Sequence, residues 1–280
     1  MRLKIWGCRG SLPAPGPATA EYGGNTSCVE VMLGGEAALV LDAGTGIRAL
    51  GLDLVRRGTR QIHLFLTHLH LDHLEGLRFF APLWDEQVTL EVWGPRSPVL
   101  GLRDRILRAF SPPLFPLDFR DVPARVTFHD LPGEPWRAGG LRLFADLVLH
   151  PGPTVGFRLE TGGSSLAYLP DHEPALAGIE GRSADWISAG ALARGADVVL
   201  HDAQYLDAEY GARIGWGHSS VDAAVAFCAA VDARRLVLFH HEPERSDRGL
   251  ELLEARAREL TGPDRPPPVL AREGMVIDLS

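Results

Sequence analysis

The chain has 280 residues, 45% hydrophobic and 23% charged, with a formal net charge of -8. This composition excludes extensive disorder, and the acidic balance excludes a protein that grips nucleic acid with its whole surface, a task that needs clustered Lys and Arg. Lys4 is the only lysine, so nearly every positive charge is an arginine. The length is within reach of one large α/β domain spanning 1–280, which is the expected organisation.

Cys8, Cys28 and Cys228 are odd in number and form no C-x-x-C pair, which fits reduced, buried thiols. The N-terminal "MRLKIWGCRG" lacks the apolar core of a signal peptide, and no segment reaches the roughly 18 apolar residues of a membrane span. A cytoplasmic protein with no membrane partner is expected.

In chain order, "LKIWG" (3–7), "CVEVML" (28–33) and "ALVLDAG" (38–44) read as strands. An amphipathic helix follows over 47–57, then the strand "IHLFLTH" (62–68). Residues 74–84 are expected as a helix, 88–93 as a strand, 98–110 as a helix with outward arginines, and the proline-rich 111–119 as an extended connection. Strands resume at "VTFHDL", "LRLFADLVLH", "TVGFRLET" and "SSLAYLPD". The last third alternates: helix near 188–194, strand 197–205, helix 219–230, strand 235–243, helix 247–260 and strand 275–279. Two successive halves, each strands then helices, predict two sheets packed face to face with helices outside.

The stretch "LTHLHLDHLEG" places His68, His70, Asp72 and His73 within six residues at the end of an apolar run. Alternate residues of an extended segment point the same way, so His68 and His70 can share one metal while the turning chain offers Asp72 and His73 to a second. Imidazole and carboxylate donors select zinc first, with manganese or iron as alternatives. Each ion needs further ligands, and three positions at strand ends can supply them: His150, Asp171 and His240.

On these residues the chain resembles a metallo-β-lactamase-fold, metal-dependent hydrolase, whose H-x-H-x-D-H motif and later His, Asp and His are met in order. The resemblance implies an αββα four-layer sandwich of two mixed sheets. It implies two divalent ions, one held by His68, His70 and His150, the other by Asp72, His73 and His240, with Asp171 bridging. A bridging hydroxide would be the nucleophile. Of the adjacent His240 and His241, His240 follows "LVLF" directly and takes the ligand position; His241 is expected to support a ligand or face substrate. Asp42 in "LDAGTG" resembles the family's loop aspartate and is expected to orient a ligand histidine, the alternative being a turn-forming Asp.

Three features resemble the tRNase Z and cyclic-phosphodiesterase-like branch of this fold. "GWGHSS" (215–220) places His218 as a general acid for a poor alkoxide leaving group, unless Ser219 is merely a helix cap beside an incidental histidine. "LHDAQY" (200–205) supplies Asp202 to pair with His218, where tRNase Z usually has Glu. "GGNTS" offers Asn25, Thr26 and Ser27 either as small donors near the site or as residues that order their own loop.

The chain has no long Gly- and Lys-rich insertion of the kind tRNase Z uses to hold tRNA. The expected function is therefore a dinuclear-metal phosphodiesterase cleaving a small phosphodiester such as a cyclic nucleotide, working as a homodimer, with His218, Asp202 and Asp72 as catalytic residues and His241 a candidate for charge balance. The alternatives are a tRNase Z-type endoribonuclease acting on RNA, or a thioesterase or other hydrolase of the same fold. A non-enzymatic binding protein is disfavoured by the complete set of seven ligands. The role of the arginine-bearing 98–125 region, as a pocket cover or a dimer contact, stays open.

Overall fold

A computed structural model describes residues 1–279. In chain order its elements are β1 (Arg2–Gly7), β2 (Cys28–Met32), β3 (Ala38–Leu41), α1 (Ile47–Arg56), β4 (Gln61–Phe65), β5 (Thr89–Gly94), α2 (Leu102–Ala109) and β6 (Arg125–Asp130). The second half continues with β7 (Trp136–Ala138), β8 (Leu141–Leu147), β9 (Val155–Thr161), β10 (Ser164–Leu169), α3 (Gly190–Ala193) and β11 (Val198–Asp202). It ends with α4 (Asp207–Tyr210), α5 (Val221–Ala230), β12 (Leu236–Phe239), α6 (Asp247–Thr261), β13 (Val269–Leu270) and β14 (Val276–Asp278).

The strands form two mixed seven-stranded sheets, ordered β14-β1-β2-β3-β4-β5-β6 and β13-β12-β11-β10-β9-β8-β7. The last strand, β14, returns to pair with β1 of the first sheet. Side chains alternate across each strand, and here both faces are apolar because both are covered. In β3, Leu39 and Leu41 enter the core between the sheets, while Ala38 and Val40 enter the core beneath α1 and α2. In β12, Val237 and Phe239 face the central core, and Leu236 and Leu238 face α5 and α6. Three apolar layers between four layers of structure make the αββα sandwich that the sequence led us to expect.

The outer helices dock by short-period apolar stripes. Ser246 caps α6, its Oγ accepting from the Gly249 N–H at 3.2 Å, and Leu250, Leu253 and Ala257 at helical spacing are all buried. Truncating such a buried leucine to alanine costs about 2–5 kcal/mol.

Three expectations about local structure change. Residues 74–84 are not an α-helix but successive 3-10 turns, Glu75–Phe79 and Ala81–Trp84. The Gly76 N–H is diverted to the Ala43 carbonyl, Leu77 bonds back only to Leu74, and Pro82 both lacks an N–H and restricts Ala81. The helix expected over 98–110 starts only at Leu102, because Pro98 and Gly101 hold the preceding residues out of it. The 111–119 segment is turned rather than extended: the Leu114 and Phe115 N–H groups both donate to the Ser111 carbonyl, and Phe115 packs on Phe110 with ring centroids 4.9 Å apart. Among the described residues no helix is long and apolar enough to cross a membrane.

The parallel strands β3 to β6 and β10 to β13 leave their carboxyl ends on one side of the sandwich. Asp42 follows β3, His68 follows β4, Asp171 follows β10, Asp202 ends β11 and His240 follows β12. Carboxyl ends of parallel strands are where α/β sheets present binding groups.

Candidate metal centre and its acid–base pair

His68, His70 and His150 bring ligand atoms within 4.8 Å of one another, and so do Asp72, His73, Asp171 and His240. Asp171 ties the groups together. Its Oδ1 is 3.7 Å from His150 Nε2 and 3.4 Å from His240 Nε2, while its Oδ2 is 2.9 Å from His73 Nε2. All seven expected ligand residues therefore converge, the first four from one sheet and the last three from the other. His150 reaches the site from a loop three residues beyond β8, not from the strand itself.

Four of these histidines are aimed by a bond at Nδ1. His73 Nδ1 donates to Asp42 Oδ2 at 2.8 Å, and His150 Nδ1 donates to the Gly217 carbonyl at 2.8 Å. His240 Nδ1 donates to Gln204 Oε1 at 3.2 Å, and His68 Nδ1 to the Thr67 hydroxyl at 3.1 Å. The Thr67 hydroxyl in turn donates to Asp42, which also accepts from the Thr67 N–H and from the Tyr168 hydroxyl at 3.0 Å. With each Nδ1 proton engaged, each Nε2 lone pair faces inward, the arrangement that metal-bound histidines adopt.

The backbone is shaped to the same end. Asp42 and His240 both hold left-handed φ angles of 59°, an arrangement that costs energy and concentrates at functional sites. Gly10 and Gly217 make room for ligand rings: a Cβ on Gly10 would lie 2.4 Å from His240 Nδ1, and one on Gly217, at φ 91°, would lie 2.4 Å from His150 Nδ1.

The donor set fits cations better than it fits itself. Inward-facing ring nitrogens meet one another, His73 Nε2 to His240 Nε2 at 3.4 Å and His150 Nε2 to His70 Nδ1 at 3.2 Å. His68 Nε2 is buried without a hydrogen-bond partner, and Asp171 Oδ2 meets the His73 ring nitrogen at 2.9 Å. Burial pushes the His68 imidazole well below its ordinary range, so it stays a neutral donor. Burial opposes ionisation of Asp72, but the charges of His73 and His240 prevail and hold its carboxyl well below the usual range. Imidazole nitrogens converging on ionised carboxylates are a ligand set for divalent metal.

Beside the ligands, His218 Nδ1 donates to Asp202 Oδ2 at 2.7 Å, and the His218 ring lies 4.9 Å from that of His240. Asp202 is fully buried and also accepts from the backbone N–H groups of His172, Gln204 and Ser219. Burial alone would lower the His218 pKa; the Asp202 charge and hydrogen bond outweigh it and push it up to about 9. Asp202 thus pairs with His218 despite being one methylene shorter in reach than glutamate. Ser219 is not the helix cap: its hydroxyl donates to the His172 carbonyl, and Ser220 caps α5 through the Ala223 N–H.

The expectation for His241 is corrected, and Asn25 and Thr26 follow the loop-ordering alternative. His241 turns away from the cluster: it is buried, donates Nε2–H to the Ala271 carbonyl at 2.8 Å and packs edge-on to Tyr22, and burial pushes its pKa down to about 3. It cannot balance charge on a substrate. Asn25 and Thr26 order their loop, Asn25 bonding Glu273 and Thr26 exchanging two bonds with Thr45, while the buried Ser27 hydroxyl has no partner. None of the three bonds a residue of the cluster.

Sequence reasoning missed Glu173, Gln204 and Gly217. Glu173, only 1% exposed, accepts from the N–H groups of Gly215 and Gly217 at 2.7 Å each and from the Tyr210 hydroxyl at 2.8 Å. It pins the loop carrying His218. The signal for it was a carboxylate two residues after Asp171 in "PDHEP" and a loop whose glycine N–H groups needed an acceptor.

Comparison with known proteins places this geometry. The sequence profile of the beta-lactamase superfamily domain matches residues 38–241, and the chain belongs to that family. It is a metallo-β-lactamase-fold hydrolase. Among its relatives is the Ribonuclease Z of Azobacteroides pseudotrichonymphae genomovar. CFP2, 25% identical, with 99% of this chain aligned to 98% of that protein. Its fold is shared with the short form of human tRNase Z (22% identity, TM-score 0.68, all of both chains) and with a diphosphatase of the PhnP family (19% identity, TM-score 0.69, 100% and 98% of the chains).

Proposed function

We propose that this hydrolase is a metal-dependent phosphodiesterase acting on small phosphodiesters such as cyclic nucleotides. The observation that carries the reading is the buried Asp202–His218 pair beside the ligand cluster. A proton donor held at this place serves a bond whose leaving oxygen is a poor leaving group, as a sugar alkoxide is, whereas a thiolate leaves without one. The kinship with a Ribonuclease Z and the fold shared with a diphosphatase support cleavage at phosphorus.

In this reading His68, His70 and His150 would hold one ion and Asp72, His73 and His240 the other, with Asp171 between them; the imidazole-rich set favours zinc over manganese or iron. Such ions supply Lewis-acid activation of water and neutralise charge on the phosphoryl oxygens. The chain's own groups do the rest. Asp42, Gln204 and the Gly217 carbonyl fix the Nδ1 protons of His73, His240 and His150. Asp202 holds the His218 Nδ1–H and stabilises the imidazolium, leaving Nε2–H to be given to the departing oxygen. Glu173 keeps the loop, and so that proton, in place.

The second reading is an RNA-cleaving enzyme of tRNase Z type, favoured by the full-length alignment with a Ribonuclease Z. A rate panel of 2',3'- and 3',5'-cyclic nucleotides, pre-tRNA and a thioester on metal-loaded protein tests both. Highest kcat/KM on a cyclic nucleotide supports the first reading, on pre-tRNA the second, and on the thioester neither.

A further inference from the structure

We propose that Arg105 and Arg108 of α2 form an anion subsite next to the metal cluster, built to bind a second phosphate of the substrate at a distance from the scissile one. This deepens the phosphodiesterase reading and rests on it for the identity of the scissile bond.

A cleft of about 290 Å³ is lined by His68 and His70 of the metal cluster together with Arg105, Arg108, Pro151 and Thr154. Residues 105 and 108 are three apart on one helix and so are neighbours on its surface, while Leu102 and Ile106 anchor the helix in the core. The helix therefore holds both guanidinium groups at the mouth of the site.

These arginines are not spent elsewhere. Among the described residues neither forms an ion pair, Arg108 makes no hydrogen bond, and Arg105 uses only Nη2, on the Pro95 carbonyl. Arg105 Nε is buried without a partner. Other arginines of this region are engaged, Arg103 with Asp104 and Arg120 with Asp118. In a chain of net charge -8, two guanidinium groups at the site without a carboxylate ion-pair partner are a local reversal of sign. The planar fork of arginine matches phosphate oxygens in pairs. The ligand class is a nucleotide ester bearing a further phosphate, which the guanidinium pair would take.

The test uses the metal-loaded protein and calorimetric binding of thymidine 3',5'-bisphosphate against thymidine 5'-monophosphate. The wild type is expected to prefer the bisphosphate at least ten-fold. R105A/R108A should reduce the preference below two-fold, and R105K/R108K should retain part of it. R108A alone, at an exposed position, should lose roughly three-fold, and unchanged metal content and circular dichroism verify the fold. A wild type without preference, or a double variant weakened equally for both ligands, overturns the proposal. The trinucleotide UpUpU is the strand arm: a loss in the double variant confined to UpUpU assigns the arginines to a polynucleotide and overturns the small-ligand subsite. Cleavage of thymidine 5'-(p-nitrophenyl phosphate) reads the underlying activity separately. No cleavage with the bisphosphate preference intact removes the phosphodiesterase reading and leaves the anion subsite standing.

Discussion

Asp202 Oδ2 accepts a 2.7 Å hydrogen bond from His218 Nδ1, and three backbone N–H groups fix the same carboxylate from behind. A rigid, buried anion thus sets both the direction and the protonation of an imidazole beside the ligand cluster. The raised pKa of about 9 keeps the acid form present below that pH and removes it above. The rate should therefore show an alkaline limb near pH 9. In D202N the raising charge is gone, and the limb should move down toward the ordinary histidine value of about 6.5 with a lower rate at pH 8. A pH–kcat profile of both proteins checks this; a limb that does not move removes Asp202 from the role.

Asp42 stands behind two ligands, directly at His73 and through Thr67 at His68. D42A should lower metal affinity by about 10–100-fold, the usual effect of losing a partner of a ligand histidine. Chelator competition reads it. Y168F removes one bond to the same carboxylate and should have a smaller effect.

The fold and the convergence of the seven His and Asp residues were legible because their signals are local. Strand periodicity and the H-x-H-x-D-H run need no knowledge of distant residues, and Asp171 and His240 each sit within two residues of an apolar strand end. What escaped depends on tertiary contact. Glu173 is meaningful only because the Gly215 and Gly217 N–H groups fold over it, and His241 looked available only until Tyr22 and Ala271 enclosed it. The 74–84 segment has helical periodicity, but the Gly76 N–H was claimed by the loop after β3, and Pro82 interrupts the rest. Nothing in the run of letters around Arg105 and Arg108 announces that α2 and His70 line one cleft.

Glu173 supports the loop without being placed to touch substrate. E173A would leave two glycine N–H groups and the Tyr210 hydroxyl without their acceptor, costing about 1–3 kcal/mol or more in stability. The expected signature is a lower Tm and a kcat reduced far more than KM, with metal content preserved. E173Q, which keeps an acceptor oxygen, should recover part of the rate. Equal losses of metal and rate would instead make Glu173 part of the metal site's scaffold.

Gly217 offers a test that separates the two halves of the metal site. A Cβ there would collide with His150 Nδ1 and Pro151 Cδ, and the residue must hold φ 91°. G217A should displace His150 and leave Asp72, His73 and His240 in place. Metal analysis should fall from two ions per chain toward one. Two ions retained would show that the loop yields without moving His150.

The central claim, that His218 protonates a poor leaving group, is tested most directly by leaving-group dependence. H218A should slow cleavage of a 3',5'-cyclic nucleotide, which expels an alkoxide, by roughly 10²–10⁴-fold. It should slow bis(p-nitrophenyl) phosphate, whose phenolate leaves unaided, by less than about ten-fold. An equal slowing of both substrates, with metal content intact, would contradict the account.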